Sequence, residues 1–81
     1  MNTEALSIVM EVVSAALGLP AGQLKDDDAL GTIEEWDSLG HLNILMALEN
    51  KFGAQVAKLT ELSKATSVKK IVSVLQTHHV L

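Results

Sequence analysis

Apolar side chains recur every three or four positions in three separate stretches of this chain, a spacing that lines one face of an α-helix and suits no strand. The first stretch places Leu6, Val9, Met10, Val13, Ala16 and Leu17 on one face, with Glu4, Ser7, Glu11 and Ser14 largely opposite. The second holds Leu39, Leu42, Leu45, Leu48 and Phe52, and the last holds Val68, Ile71, Val72 and Leu75. Only two aromatic residues occur, Trp36 and Phe52, and the remaining apolar content is mostly Leu, Val, Ala, Ile and Met. An all-α domain is therefore expected, with three longer helices and one short one.

The punctuation between the stretches agrees. Gly18 can adopt the left-handed conformation that closes a helix, Leu19 can fold back on the last turn, and Pro20 prevents continuation. Asp37 or Ser38 supplies an N-cap for the second helix, and Gly53 ends it. Thr60 can cap a short third helix through about Ala65, and Thr66 or Ser67 can cap the fourth. From Ala21 to Asp37 no period is sustained. Leu24, Leu30, Ile33 and Trp36 read there as anchors of a long, ordered but irregular loop, in which Thr32 and Glu35 have the spacing of a capping box. On the second helix the buried arc is expected to centre on Leu45, Leu48 and Phe52.

At 81 residues and 48% hydrophobic content, the chain suffices for one domain spanning residues 1–81. It reads as complete in itself, with fraying termini. Cysteine is absent, so packing alone must hold the fold. No apolar run approaches the roughly 18 residues of a membrane span, and residues 1–4 lack the basic start of a secretory signal, which makes the cytoplasm the expected location. The net charge of −4 is unevenly divided. Residues 1–49 set nine acids against Lys25, a balance of −8, whereas residues 50–81 set Glu61 against five lysines, a balance of +4. Without arginine or a basic aromatic-bearing stripe, nucleic-acid binding lacks its electrostatic footprint.

Ser38 stands where a hydroxyl meets the unpaired amides and the positive end of a helix dipole, a setting that favours an attached phosphodiester. An isolated Asp-Ser-Leu tripeptide more often just caps a helix. The wider order is more specific: a helix ending Leu17-Gly18, a long acidic loop, Asp37-Ser38-Leu39, a helix ending Leu48-Glu49-Asn50-Lys51-Phe52-Gly53, then Thr66-Ser67-Val68 opening the last helix. This order resembles the acyl carrier protein family across nearly the whole chain.

The resemblance implies a four-helix bundle of acyl-carrier type and a 4'-phosphopantetheine arm, taken from coenzyme A, on Ser38, with Asp37 and Leu39 completing the motif. It implies a phosphopantetheinyl transferase as partner, then an acyl- or aminoacyl-loading ligase or transferase, then downstream acyl-transfer enzymes. The chain itself would be a non-catalytic monomer carrying thioester cargo. The segment Trp36 to Gly53 looks like stand-alone carriers of dedicated pathways, whether polyketide, fatty acid or other secondary biosynthesis. Fatty acid synthesis proper is less favoured, because Asn43 stands where fatty-acid carriers usually have glutamate. Two alternatives are a peptidyl or aminoacyl carrier and an unmodified helical adaptor of the same fold.

Around Ser38 the expected docking residues are Leu39, His41, Leu42, Met46 and Glu49, with Leu42 equally readable as core. The family's enclosure of acyl chains points to Leu45, Leu48, Val56, Ile71 and Leu75 as a possible acyl interior, although ordinary core is their simpler role. Helix two carries only Glu49 and Lys51 as formal charges, and Lys58 and Lys64 stand where acids are frequent in the family. A serine–histidine hydrolase built on His41 is disfavoured: no Gly-x-Ser-x-Gly elbow is present and no orienting carboxylate can be placed. His78 and His79 read as a solvated tail, and Asp26, Asp27 and Asp28 as an acidic surface, turn or cap. No metal site is expected. Trp36 reads as the anchor of the loop before Ser38.

Overall fold

The computed structural model describes residues 3–20 and 22–81. Helix α1 runs Thr3–Leu17, α2 Ser38–Phe52, α3 is the single turn Ala54–Ala57, a 3₁₀ helix follows at Thr60–Lys64, and α4 runs Val68–Thr77. Among the described residues there is no named strand, and no helix is long and apolar enough to cross a membrane. The bundle measures 29 × 26 × 18 Å, with α1 packed on both α2 and α4, and α3 and the 3₁₀ helix packed on α2.

Each helix end follows from its local chemistry. At the close of α1, Gly18 has φ +70°, its amide donates to Ala15 O, and the Leu19 amide donates to Ser14 O at 2.9 Å. This paired arrangement satisfies two carbonyls that the last turn would otherwise leave open. Asp37 caps α2, its carboxylate accepting from the Gly40 amide, and Ser67 caps α4 by accepting from the Lys70 amide. Gly53, at φ +94°, closes α2 with its amide on Glu49 O.

The core gathers Val9 and Val13 from α1, Ile44 and Leu48 from α2, Val68, Ile71, Val72 and Leu75 from α4, and Trp36 from the loop, all fully buried. Burying one such side chain contributes about 1.5–3 kcal/mol. On α1 the inward face also takes Ala5 and Val12, while Leu6, Met10, Ala16 and Leu17 are partly buried at its edge.

Several expectations are corrected. The buried face of α2 is Gly40, His41, Ile44 and Leu48, with Leu45 and Phe52 only partly buried. The buried arc shares Leu48 with the expected one but is turned by about 60° around the helix, at 100° per residue. Gly40 accounts for the turn: it carries no side chain, and a Cβ there would run into the Glu35 carbonyl oxygen and Leu17 Cδ2. That face lies inside because only it can approach so closely.

The short helix expected from Thr60 to about Ala65 is present as the 3₁₀ helix Thr60–Lys64, although no side chain caps it, and an unexpected extra turn, α3 with Val56, precedes it. A four-residue turn is too short to show a period in sequence.

The long loop is ordered, as its anchors suggested, but by different means. Leu24 and Trp36 are buried and Ile33 partly so, whereas the Leu30 side chain is 39% exposed. It is the backbone of this stretch that is fastened: the Leu30 amide donates to Thr66 O at 2.8 Å and the Val68 amide to Asp28 O at 3.1 Å. Thr32 and Glu35 form no capping box. Thr32 Oγ1 instead lies within the turn 3.1 Å from Asp28 Oδ1 and 2.9 Å from Ala29 O, with its one hydrogen shared between them, and Asp28 is buried, accepting the Lys25 amide.

Of the termini expected to fray, residues 1–2 lie outside the described residues, and the carboxy-terminal residues are hydrogen-bonded back onto α4. His79 sits at φ +58° with its amide on Gln76 O, and the Val80 amide donates to Leu75 O at 2.8 Å, which tucks Val80 and Leu81 partly under the core. His78 Nε2 lies 2.6 Å from Glu61 Oε1 on the surface.

Candidate functional site

Ser38 is the first residue of α2 and is exposed. Its hydroxyl is hydrogen-bonded to none of the described residues. The capping role falls to Asp37, which has extended backbone (φ −109°) and whose Oδ1 accepts the Gly40 amide at 2.8 Å. Capping and presentation are therefore divided between neighbours. Asp37 satisfies an amide of the first turn, and Ser38 stays open to an incoming group at the positive end of a 15-residue helix.

Along the outer face of α2, Leu39, Leu42 and Met46 are 68%, 52% and 55% exposed. Leu42 thus belongs to the surface. The three residues form an apolar strip starting beside Ser38, with exposed Glu49 continuing the same direction. Leu42, Met46 and Glu49 also border a cleft of about 360 Å³, whose far side is formed by Val56, Leu59 and Leu62.

The five expected interior residues separate into two groups. Leu45 and Val56 line this cleft, whereas Leu48, Ile71 and Leu75 are fully buried in the packed core and do not border it. A second hollow of about 390 Å³, bounded by Met10, Leu19 and Leu24, contains none of the expected site residues.

His41 is the main departure. It is 6% exposed and cannot form part of a docking surface. The Trp36 indole Nε1–H lies 3.2 Å from His41 Nδ1, and His41 Nε2 lies 3.1 Å from Leu62 O. An indole nitrogen only donates, so Nδ1 must accept; the ring hydrogen then sits on Nε2 and donates to the Leu62 carbonyl. The ring planes are 13° apart with centroids 6.2 Å apart, which at this nitrogen separation is an edge-to-edge arrangement. With both nitrogens engaged, His41 offers no general base to Ser38.

Burial follows from position. His41, Ile44 and Leu48 are spaced by three and four residues, and that period was visible in the chain. What hid it was the polarity of histidine, which only a specific pair of partners makes compatible with the interior.

No protein-family model matches the chain, and no solved structure matches it.

Proposed function

We propose that this chain is an acyl carrier protein of the stand-alone type, bearing thioester-linked acyl intermediates on a 4'-phosphopantetheine arm at Ser38. The observation that carries the reading is the exposed Ser38 hydroxyl at the head of α2, bonded to none of the described residues, with the helix capped by Asp37 and followed by the exposed strip Leu39, Leu42 and Met46. The four-helix acyl-carrier fold is part of the same proposal. It draws support from three longer helices, a short helical stretch before the last of them, and a long first loop.

In this role the chain tethers and presents cargo and leaves catalysis to its partners in the cytoplasm. A partner transferase joins Ser38 Oγ to the pantetheine-side phosphorus of coenzyme A, the pyrophosphate P–O bond breaking to release adenosine 3',5'-bisphosphate and the serine proton, and a loading enzyme charges the terminal thiol. The thioester keeps its carbonyl reactive because a thiol, with a pKa near about 8.5, leaves more readily than an alkoxide. Weak apolar docking along Leu39 and Met46 allows release, while the tether holds the cargo at high effective concentration once docked. The acidic first part of the chain supplies long-range steering toward basic partners.

Incubation of the purified protein with coenzyme A and a broad-specificity phosphopantetheinyl transferase tests this by intact mass. The expected result is one phosphopantetheine on wild type and none on Ser38→Ala. An unmodified wild type beside a modified control carrier would sink the reading and favour the adaptor of the same fold. Modification followed by loading with aminoacyl but not acyl groups would favour the peptidyl carrier.

A further inference from the structure

Three polar groups deep in the fold form a continuous relay: Trp36 Nε1–H to His41 Nδ1, then His41 Nε2–H to Leu62 O. We propose that His41 is a positioning residue for Ser38, joining the segment that leads into α2 to the 3₁₀ helix beside the cleft; this rests on the carrier reading of Ser38.

Position 41 would accept an aliphatic side chain on burial grounds alone, since its neighbours along the stripe are Ile44 and Leu48. A leucine there would leave the Trp36 N–H without a partner in the interior, where a stranded donor is costly, and would leave the Leu62 carbonyl with the Ala65 amide alone. No buried side-chain nitrogen or oxygen among the described residues is left unpaired, so the histidine completes the set.

Trp36 is the junction of the preceding loop. Its amide donates to Ile33 O at 3.2 Å, and its carbonyl accepts the Gly31 amide at 2.9 Å. The next residue is the cap Asp37, whose carbonyl accepts the His41 amide at 2.8 Å. Fixing the indole through His41 therefore fixes the backbone that delivers Asp37 and Ser38 to the head of α2. The other end of the relay, Leu62, lies in the far wall of the 360 Å³ cleft. One ring thus sets both the approach to the attachment point and the wall of the neighbouring cleft.

The two bonds can be separated by substitution. In His41→Asn the amide oxygen falls near the place of Nδ1 and can accept the indole N–H. In His41→Gln the amide nitrogen reaches toward Leu62 O, and in His41→Leu neither bond remains. Each variant is studied below its own thermal midpoint, by hydrogen exchange of the Trp36 indole N–H and by kcat and KM of phosphopantetheine transfer from coenzyme A. Ring ¹⁵N shifts of wild-type His41 should report the Nε2–H tautomer.

Indole exchange is expected to quicken by roughly tenfold in the Leu and Gln variants and to stay near wild type in Asn. Transfer kcat/KM is expected to fall in the same order, by roughly tenfold in Leu, with rescue in Asn. A merely structural role would lower thermal stability and leave transfer unchanged among folded variants, and that outcome overturns the proposal. So does a Gln variant whose indole exchanges as slowly as wild type. A wild type that accepts no arm beside a reactive control defeats the carrier reading instead, and the exchange order then decides the relay by itself.

Discussion

The carboxylate of Asp37 accepts the Gly40 amide across the first turn of α2 at 2.8 Å, while the hydroxyl of Ser38 between them bonds to none of the described residues. One residue stabilises the helix start so that the next can remain available. Asp37→Ala should therefore cost about 1 kcal/mol of stability, and Asp37→Asn much less, because asparagine caps nearly as well. Urea unfolding of the two variants measures the difference; equal losses would mean that the charge of Asp37, not its cap, is what matters.

Gly40→Ala sets two effects against each other. Alanine favours a helix interior over glycine by about 1 kcal/mol. The added methyl meets the Glu35 backbone oxygen and approaches within 2.9 Å of Leu17 Cδ2, and a backbone carbonyl cannot swing aside as a side-chain tip can. Overpacking of this kind costs about 1–3 kcal/mol, so the variant should be less stable than wild type. A higher thermal midpoint for Gly40→Ala would refute the close approach of α2 to α1.

Met46→Glu should fold normally. Its side chain is 55% exposed, and substitutions at such positions usually fall within about 0.5 kcal/mol. Transfer to or from partner enzymes should drop, because a charge then interrupts the apolar strip that starts at Leu39. Circular dichroism and a partner transfer assay together test this, and loss of helical signal would place Met46 in the core.

His79→Gly should stabilise the fold. A non-glycine residue at φ +58° carries a steric cost that glycine lacks, and the side chain of His79 is exposed. A gain of some tenths to about 1 kcal/mol is expected in thermal unfolding, with the Val80-to-Leu75 hydrogen bond retained. A loss would show that the imidazole makes a stabilising contact.

Features governed by short-range chemistry were the legible ones. Gly18, Leu19 and Pro20 announced the end of α1 because a left-handed turn and a missing amide act within three residues. The stripe Val68, Ile71, Val72 and Leu75 was read correctly because every member is apolar and every member is buried. The caps were legible only as pairs, Asp37 or Ser38 and Thr66 or Ser67, and the structure selects Asp37 and Ser67.

The inward face of α2 was not, since it depends on contacts between distant parts of the chain. The leucine and phenylalanine spacing suggested an arc about Leu45, Leu48 and Phe52, while Gly40 and His41 turned it to one side of Leu48 through Glu35, Leu17, Trp36 and Leu62. The site divides similarly. Ser38 was marked by its motif and by the helix start, and Leu39 and Met46 by their place at the edge of the apolar arc. The cleft wall at Leu59 and Leu62 arises from a turn and a 3₁₀ helix that carry no long-range period.

The backbone tie between Leu30 and Thr66 joins positions thirty-six residues apart. Its loop-closure entropy cannot be recovered until α2 and α4 are both in place, so it is a late event in folding even though the helices themselves are local. Opening the tie alone would not free this stretch, because Leu24 before it and Trp36 after it are buried in the core. The approach to Ser38 is thereby fastened by side chains as well as by backbone, and its amides are expected to exchange with the core rather than ahead of it.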